Sequence, residues 1–167
     1  MKKIILTLLV ASSLVMTGQE TEEKKFTLSG SVDTYFRGNI SGGNFDTAPG
    51  SSFANQPGFA LGMINLVAAY EGEKVGFVAD MVYGPRGNDA VFGSPTGSSE
   101  VINQLYAYWN VSEKVKLTIG NFNTFLGYEV ISPTANFNYS TSYLFSYGPF
   151  SHTGIKADFA LSENTSL

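Results

Sequence analysis

Cysteine is absent from the 167 residues, which excludes a disulfide framework, a thiolate zinc site, thiol chemistry and a lipid-anchor cysteine. Histidine occurs once, too few for a multi-histidine metal centre. Charged side chains make up 14% of the chain, well under the roughly 25% of ordinary soluble domains. Beyond residue 18 no apolar run approaches the roughly 20 residues of a membrane-spanning helix. Basic residues are scarce as well. Setting Lys2 and Lys3 aside, eight basic side chains face fourteen acidic ones, a balance of −6, and nucleic acid, which calls for a basic patch, is not a partner.

The first residues read as an export signal. Lys2 and Lys3 form a positive start, Ile4 to Val15 an apolar run, and Thr17-Gly18-Gln19 a small, polar exit. The expected organisation is a signal peptide over 1–18, a periplasmic leader over 19–25 and one β-domain over 26–167. Glu20, Glu22, Glu23, Lys24 and Lys25 in the leader are assigned no activity.

What the mature chain does contain is glycine (18), phenylalanine (13) and tyrosine (9), arranged with a period of two. In 26–38, Phe26, Leu28, Val32 and Phe36 share one parity while Asp33 and Arg37 share the other. The pattern recurs in 58–70, 75–84, 101–111, 115–120 and 154–161. There Leu66, Phe77, Leu105, Leu117 and Phe159 are set against Asn65, Asp80, Gln104, Lys116 and Asp158, with Val101 grouped with Leu105. Period two over such lengths predicts strands. The segment 58–70 is apolar on both parities and fits least well.

The connections alternate long and short. Residues 39–57, 85–100 and 130–153 are long and rich in Gly, Ser, Asn and Pro; 71–74 and 112–114 are tight turns. Outer-membrane barrels combine short periplasmic turns with long outer loops. Every ionisable residue within the six strands avoids the apolar parity, where a charge would cost about 2–4 kcal/mol at mid-membrane. Tyr70 and Trp109 sit on the apolar parity beside the short turns, where an interfacial aromatic girdle belongs. The reading is an all-β, transmembrane, antiparallel up-and-down barrel, with lipid against the apolar parity. A sandwich core excludes charge in the same way, so a secreted β-sandwich that binds glycans is one alternative.

"EKVGF" (73–77) and "EKVKL" (113–117) occupy equivalent places in successive hairpins, and "SENTSL" (162–167) loosely repeats the turn. A third short turn and the first step of a seventh strand are therefore expected at the end of the chain. An open sheet in lipid leaves unpaired backbone groups that cost several kcal/mol each. The sequence is accordingly expected to be the N-terminal part of a longer barrel; assembly of one barrel from several copies is the alternative.

The stretch 117–159 resembles the OmpL-like β-barrel porins of outer membranes. The likeness lies in the strand ending Gly127-Tyr128-Glu129, the loop with Asn136, Tyr139, Ser142 and Tyr143, the Gly148-Pro149-Phe150 segment, and the Thr153-Gly154 lead-in. Residues 26–111 match that family in layout only. The resemblance implies a porin in the bacterial outer membrane.

On this reading Asp33, Arg37, Asp80, Lys116, Lys156 and Asp158 line the lumen, where they set a transverse field or simply pair with one another. The aromatic loop 130–153 folds inward as a constriction, with Glu129 at its base and Asn136, Tyr139, Tyr143 and Tyr147 in it; a lid or a subunit contact are the other roles open to it. Aromatic rings in a pore also suit sugar passage. Ser151-His152 with Asn136 and Asn138 suggests a hydrolase triad only by proximity in sequence, which is not geometry. The glycine-rich "SGG" (41–43) and "GPRGN" (84–88) read as loop punctuation, and Asp46, Asp89 and Glu100 lack calcium-loop spacing.

The function expected is passive diffusion of small hydrophilic solutes or ions, without catalysis, cofactor or metal. Its partners are outer-membrane lipid, those solutes and, as is common for porins, further copies of the chain. A non-conducting barrel for adhesion or membrane integrity is the second alternative.

Overall fold

The computed structural model describes residues 26–40, 53–91 and 100–167. The expected signal peptide and leader lie outside the described residues, as do Gly42, Gly43 and Asp46. Seven strands follow in chain order: β1 (Phe26–Arg37), β2 (Gly58–Glu71), β3 (Val75–Tyr83), β4 (Ile102–Ser112), β5 (Val115–Asn123), β6 (Ser151–Ser162) and β7 (Thr165–Ser166). Each pairs antiparallel with its neighbours in the order β1-β2-β3-β4-β5-β6-β7, and the sheet curls into a half-barrel. The described residues form one sheet rather than the two layers of a sandwich, and the short seventh strand stands where the turn echo placed it.

Alternation divides the sheet into two faces. The outer face carries Leu28, Val32, Phe36, Ile64, Leu66, Phe77, Ile119 and Phe159, all exposed, with no described segment covering them. Side chains of this size left open over a whole face require a hydrocarbon solvent or a partner surface. The inner face holds the polar set and is partly covered by the connection between β5 and β6.

The register shifts at four places among the described strands, and two of these irregularities matter for the inner face. Val32 pairs with Ile64 and Thr34 with Leu61, so Gly62 and Met63 together oppose Asp33. The phase of β2 reverses there. Phe59 and Leu61 face outward before the bulge, Ile64 and Leu66 after it, which explains why this strand is apolar on both parities. In β4, Asp80 pairs with Gln104 and Met81 with Ile102, leaving Asn103 as the extra residue. Strict alternation put Val101 on the outward parity; the bulge gives that place to Ile102 instead.

Strand bounds differ from the periodicity at one hairpin. β5 runs to Asn123 and β6 starts at Ser151, with Phe122 opposite His152. The glycines and polar residues of 120–123 and 151–154 hide the period of two, but their backbone groups pair across strands. The third long loop is thus 124–150, and His152 belongs to the wall.

Candidate functional site

The inner wall begins with Asp80, which is buried on β3. Its Oδ1 accepts from Asn65 Nδ2 at 2.9 Å, and its Oδ2 from Asn103 Nδ2 at 2.6 Å and Gln104 Nε2 at 3.4 Å. Three carboxamides on two neighbouring strands thus surround one carboxylate, and the β4 bulge is what brings consecutive residues Asn103 and Gln104 to the same side. Toward the short turns, Lys156 pairs with Asp158 at 3.2 Å. The Lys116 ammonium lies 4.0 Å from the Tyr108 ring centroid and that of Lys156 lies 5.5 Å from the Phe122 centroid, a favourable placement of cation over π-face. Toward the long loops, Arg37 Nη1 donates to the Ala54 carbonyl at 3.3 Å.

The loop 124–150 folds over this wall. Ile131 and Phe145 pack with Met63, Val82 and Ala90 in an apolar cluster, flanked by Phe53, Val91 and Phe150. Met63 reaches the cluster only because the β2 bulge turns it inward. The loop carries its own ties. Asn136 Nδ2 donates to the Val130 carbonyl at 2.6 Å while its Oδ1 accepts from Val130 N at 2.9 Å, so one side chain closes a local ring. Glu129 accepts from Ser142 N at 2.8 Å and from the Ser142 hydroxyl. At the base, Thr124 Oγ1 and His152 Nε2 lie 3.0 Å apart, and the imidazole stacks on Phe125 at 4.5 Å.

A buried arginine adds a further tie to the loop. Arg86 follows Pro85 in the short helix α1 (Pro85–Ala90) and is 0% exposed. Its Nε donates to the Ile131 carbonyl at 2.8 Å and its Nη1 to the Tyr139 carbonyl at 2.9 Å. The guanidinium lies between the Phe53 and Tyr139 rings, 4.9 and 5.1 Å from their centroids. Burial pulls its pKa down, opposed by Tyr139 and Asp33. The Tyr139 hydroxyl in turn donates to Asp33 Oδ2 at 2.8 Å, and its pKa is driven upward, first by burial and then by that bond.

The predicted loop residues therefore divide. Tyr139 touches the wall, Glu129 and Asn136 shape the loop, and Tyr143 and Tyr147 stay exposed, their rings stacked at 6.1 Å on α2 (Tyr143–Ser146) and its cap. Arg86 lies within "GPRGN", whose composition reads as loop punctuation. Its one available signal was rarity, since the chain has only two arginines and this one lies in a loop. Ser151 and His152 are neighbours on β6, so their side chains leave opposite faces, and Asn136 is occupied at Val130. Asp89 accepts from Asn55 Nδ2 at 2.8 Å. Among the described residues no group of three acidic, histidine or cysteine side chains gathers that could hold a metal ion.

A family model described as "Putative beta-barrel porin-2, OmpL-like" matches residues 25–167. Neither the curated proteins nor the solved structures gave a match.

Proposed function

Because the chain belongs to the OmpL-like family of β-barrel porins, we propose that it forms part of an outer-membrane barrel through which small hydrophilic solutes or ions diffuse passively. The observation that carries this is the division of one sheet into two solvents. Leu66, Phe77, Ile119 and Phe159 are exposed on one face, and Asp33, Arg37, Asp80, Lys116, Lys156 and Asp158 stand on the other. Hydrocarbon suits the first set; of the second, Lys116, Lys156 and Asp158 keep partial access to water, while Asp33 and Asp80 are buried in hydrogen bonds to neighbouring side chains. Tyr70 and Trp109, on the outward face beside short turns, suit the girdle at the membrane boundary. The loop 124–150 narrows the lumen from the long-loop side, latched by Arg86. A barrel of this kind works by shape and field, with no catalytic step, cofactor or metal.

Planar-bilayer recording of the native protein tests the proposal: discrete ohmic steps are expected. The packed cluster under the loop favours one other reading, a sealed barrel serving adhesion or membrane integrity. A protein that inserts into the bilayer without conducting would establish that reading instead.

A further inference from the structure

Asp80 is 4% exposed, and no lysine or arginine among the described residues forms an ion pair with it. A buried charge is ordinarily paired or bound to a metal ion. Asp80 has instead three amide donors, from Asn65, Asn103 and Gln104. They satisfy its lone pairs and leave its negative charge uncompensated.

The far ends of these carboxamides differ. Gln104 Oε1 accepts from Asn123 N at 3.0 Å, which fixes that amide in its present orientation. Asn65 and Asn103 are buried as well, 6% and 2% exposed, and their Oδ1 atoms have no hydrogen-bond partner among the described residues. Only the bond to Asp80 therefore orients either amide. The two ends of a carboxamide differ in hydrogen bonding far more than in shape, and a half-turn about the last side-chain bond brings Oδ1 to the place of Nδ2. Two carbonyl-type oxygens would then stand at the 2.9 and 2.6 Å now spanned by the hydrogen bonds to Asp80. Oxygens so close repel unless a cation lies between them, and a carboxylate with amide carbonyls is a ligand set for hard cations.

We propose that Asp80, Asn65 and Asn103 form a binding site for a small monovalent cation of the sodium class, set in the barrel wall. One carboxylate balances one positive charge, whereas a divalent ion would leave net charge buried, which desolvation disfavours. The ion joins β2, β3 and β4 and takes no part in solute passage, so a conducting and a sealed barrel hold it alike.

The test is thermal unfolding of the native protein in detergent, followed on unheated gels, in sodium chloride against N-methylglucamine chloride at equal ionic strength. Sodium is expected to raise the midpoint in a saturable way, as a ligand of the folded state does, and to show a broadened sodium NMR resonance. Asn65→Leu removes one oxygen ligand and should weaken the apparent sodium affinity about tenfold. Asn65→Asp adds a second carboxylate and should turn the preference from sodium to calcium. Glu73→Gln, in an exposed short turn, should leave the sodium effect unchanged. Equal midpoints in the two salts, or a sodium effect that survives Asp80→Asn, overturns the site. Where a wall variant does not fold, the resonance of the native protein still decides, and an unbroadened line overturns the site.

Discussion

Tyr139 donates its phenolic hydrogen to Asp33 at 2.8 Å across 106 positions of sequence. This contact joins the third long loop to the first strand, and its titration has a definite sign. The phenol pKa is raised in the docked loop, so its contribution to docking is complete below the ordinary tyrosine value of about 10. It declines as pH rises above that value, because the undocked loop ionises first. The protection of residues 129–147 against hydrogen exchange, taken relative to the intrinsic rate at each pH, should therefore fall above pH 10. Tyr139→Phe should flatten that fall in protection and cost about 1 kcal/mol of docking at neutral pH.

Gly62 makes room for the same contact. A Cβ there would collide with the Asp33 carboxylate and approach the Tyr139 hydroxyl. Gly62→Ala is expected to loosen the loop without altering either partner. Combined with Tyr139→Phe, the exchange rates should rise no further than in the more affected single variant, since neighbours that share one interaction are not additive.

Arg86→Ala removes two hydrogen bonds to loop carbonyls and the filling between two rings. The loss of docking should be about 3 kcal/mol, seen as proteolysis within 129–147 while the strands stay protected. Arg86→Lys should recover only part of this, because an ammonium lacks the planar fork that reaches two carbonyls.

Asp80→Asn turns an acceptor into a mixed group facing three carboxamide donors. With at least one donor left unmatched in a buried setting, the barrel should lose about 2 kcal/mol. The temperature at which the folded band disappears from unheated detergent gels would measure it.

Ile119→Lys and Ser29→Lys place the same charge on opposite faces. On the outward face the cost should be about 2–4 kcal/mol, and on the inner face close to zero. Equal costs, measured by urea unfolding in lipid vesicles, would mean that hydrocarbon is not the solvent of the outer face.

Period-two alternation determined the strands and the segregation of charge, because between bulges each residue's face in a single sheet follows from its parity, and the short turns determined the antiparallel order. Asp33, Asp80, Lys116 and Asp158 could be placed on the inner face for that reason. Only the tertiary structure decided the rest. Local alternation cannot report a bulge, so Gly62-Met63 and Asn103 shift phase without warning, and Met63 becomes a core residue on a polar face. Long-range contacts leave no local trace either. Arg86 meets Ile131 and Tyr139 across 45 and 53 positions, and nothing in "GPRGN" distinguishes a latch from a turn. The side of the loop on which Phe145 is buried depends on a cluster assembled from β2, β3 and α1, which no window of neighbouring residues contains.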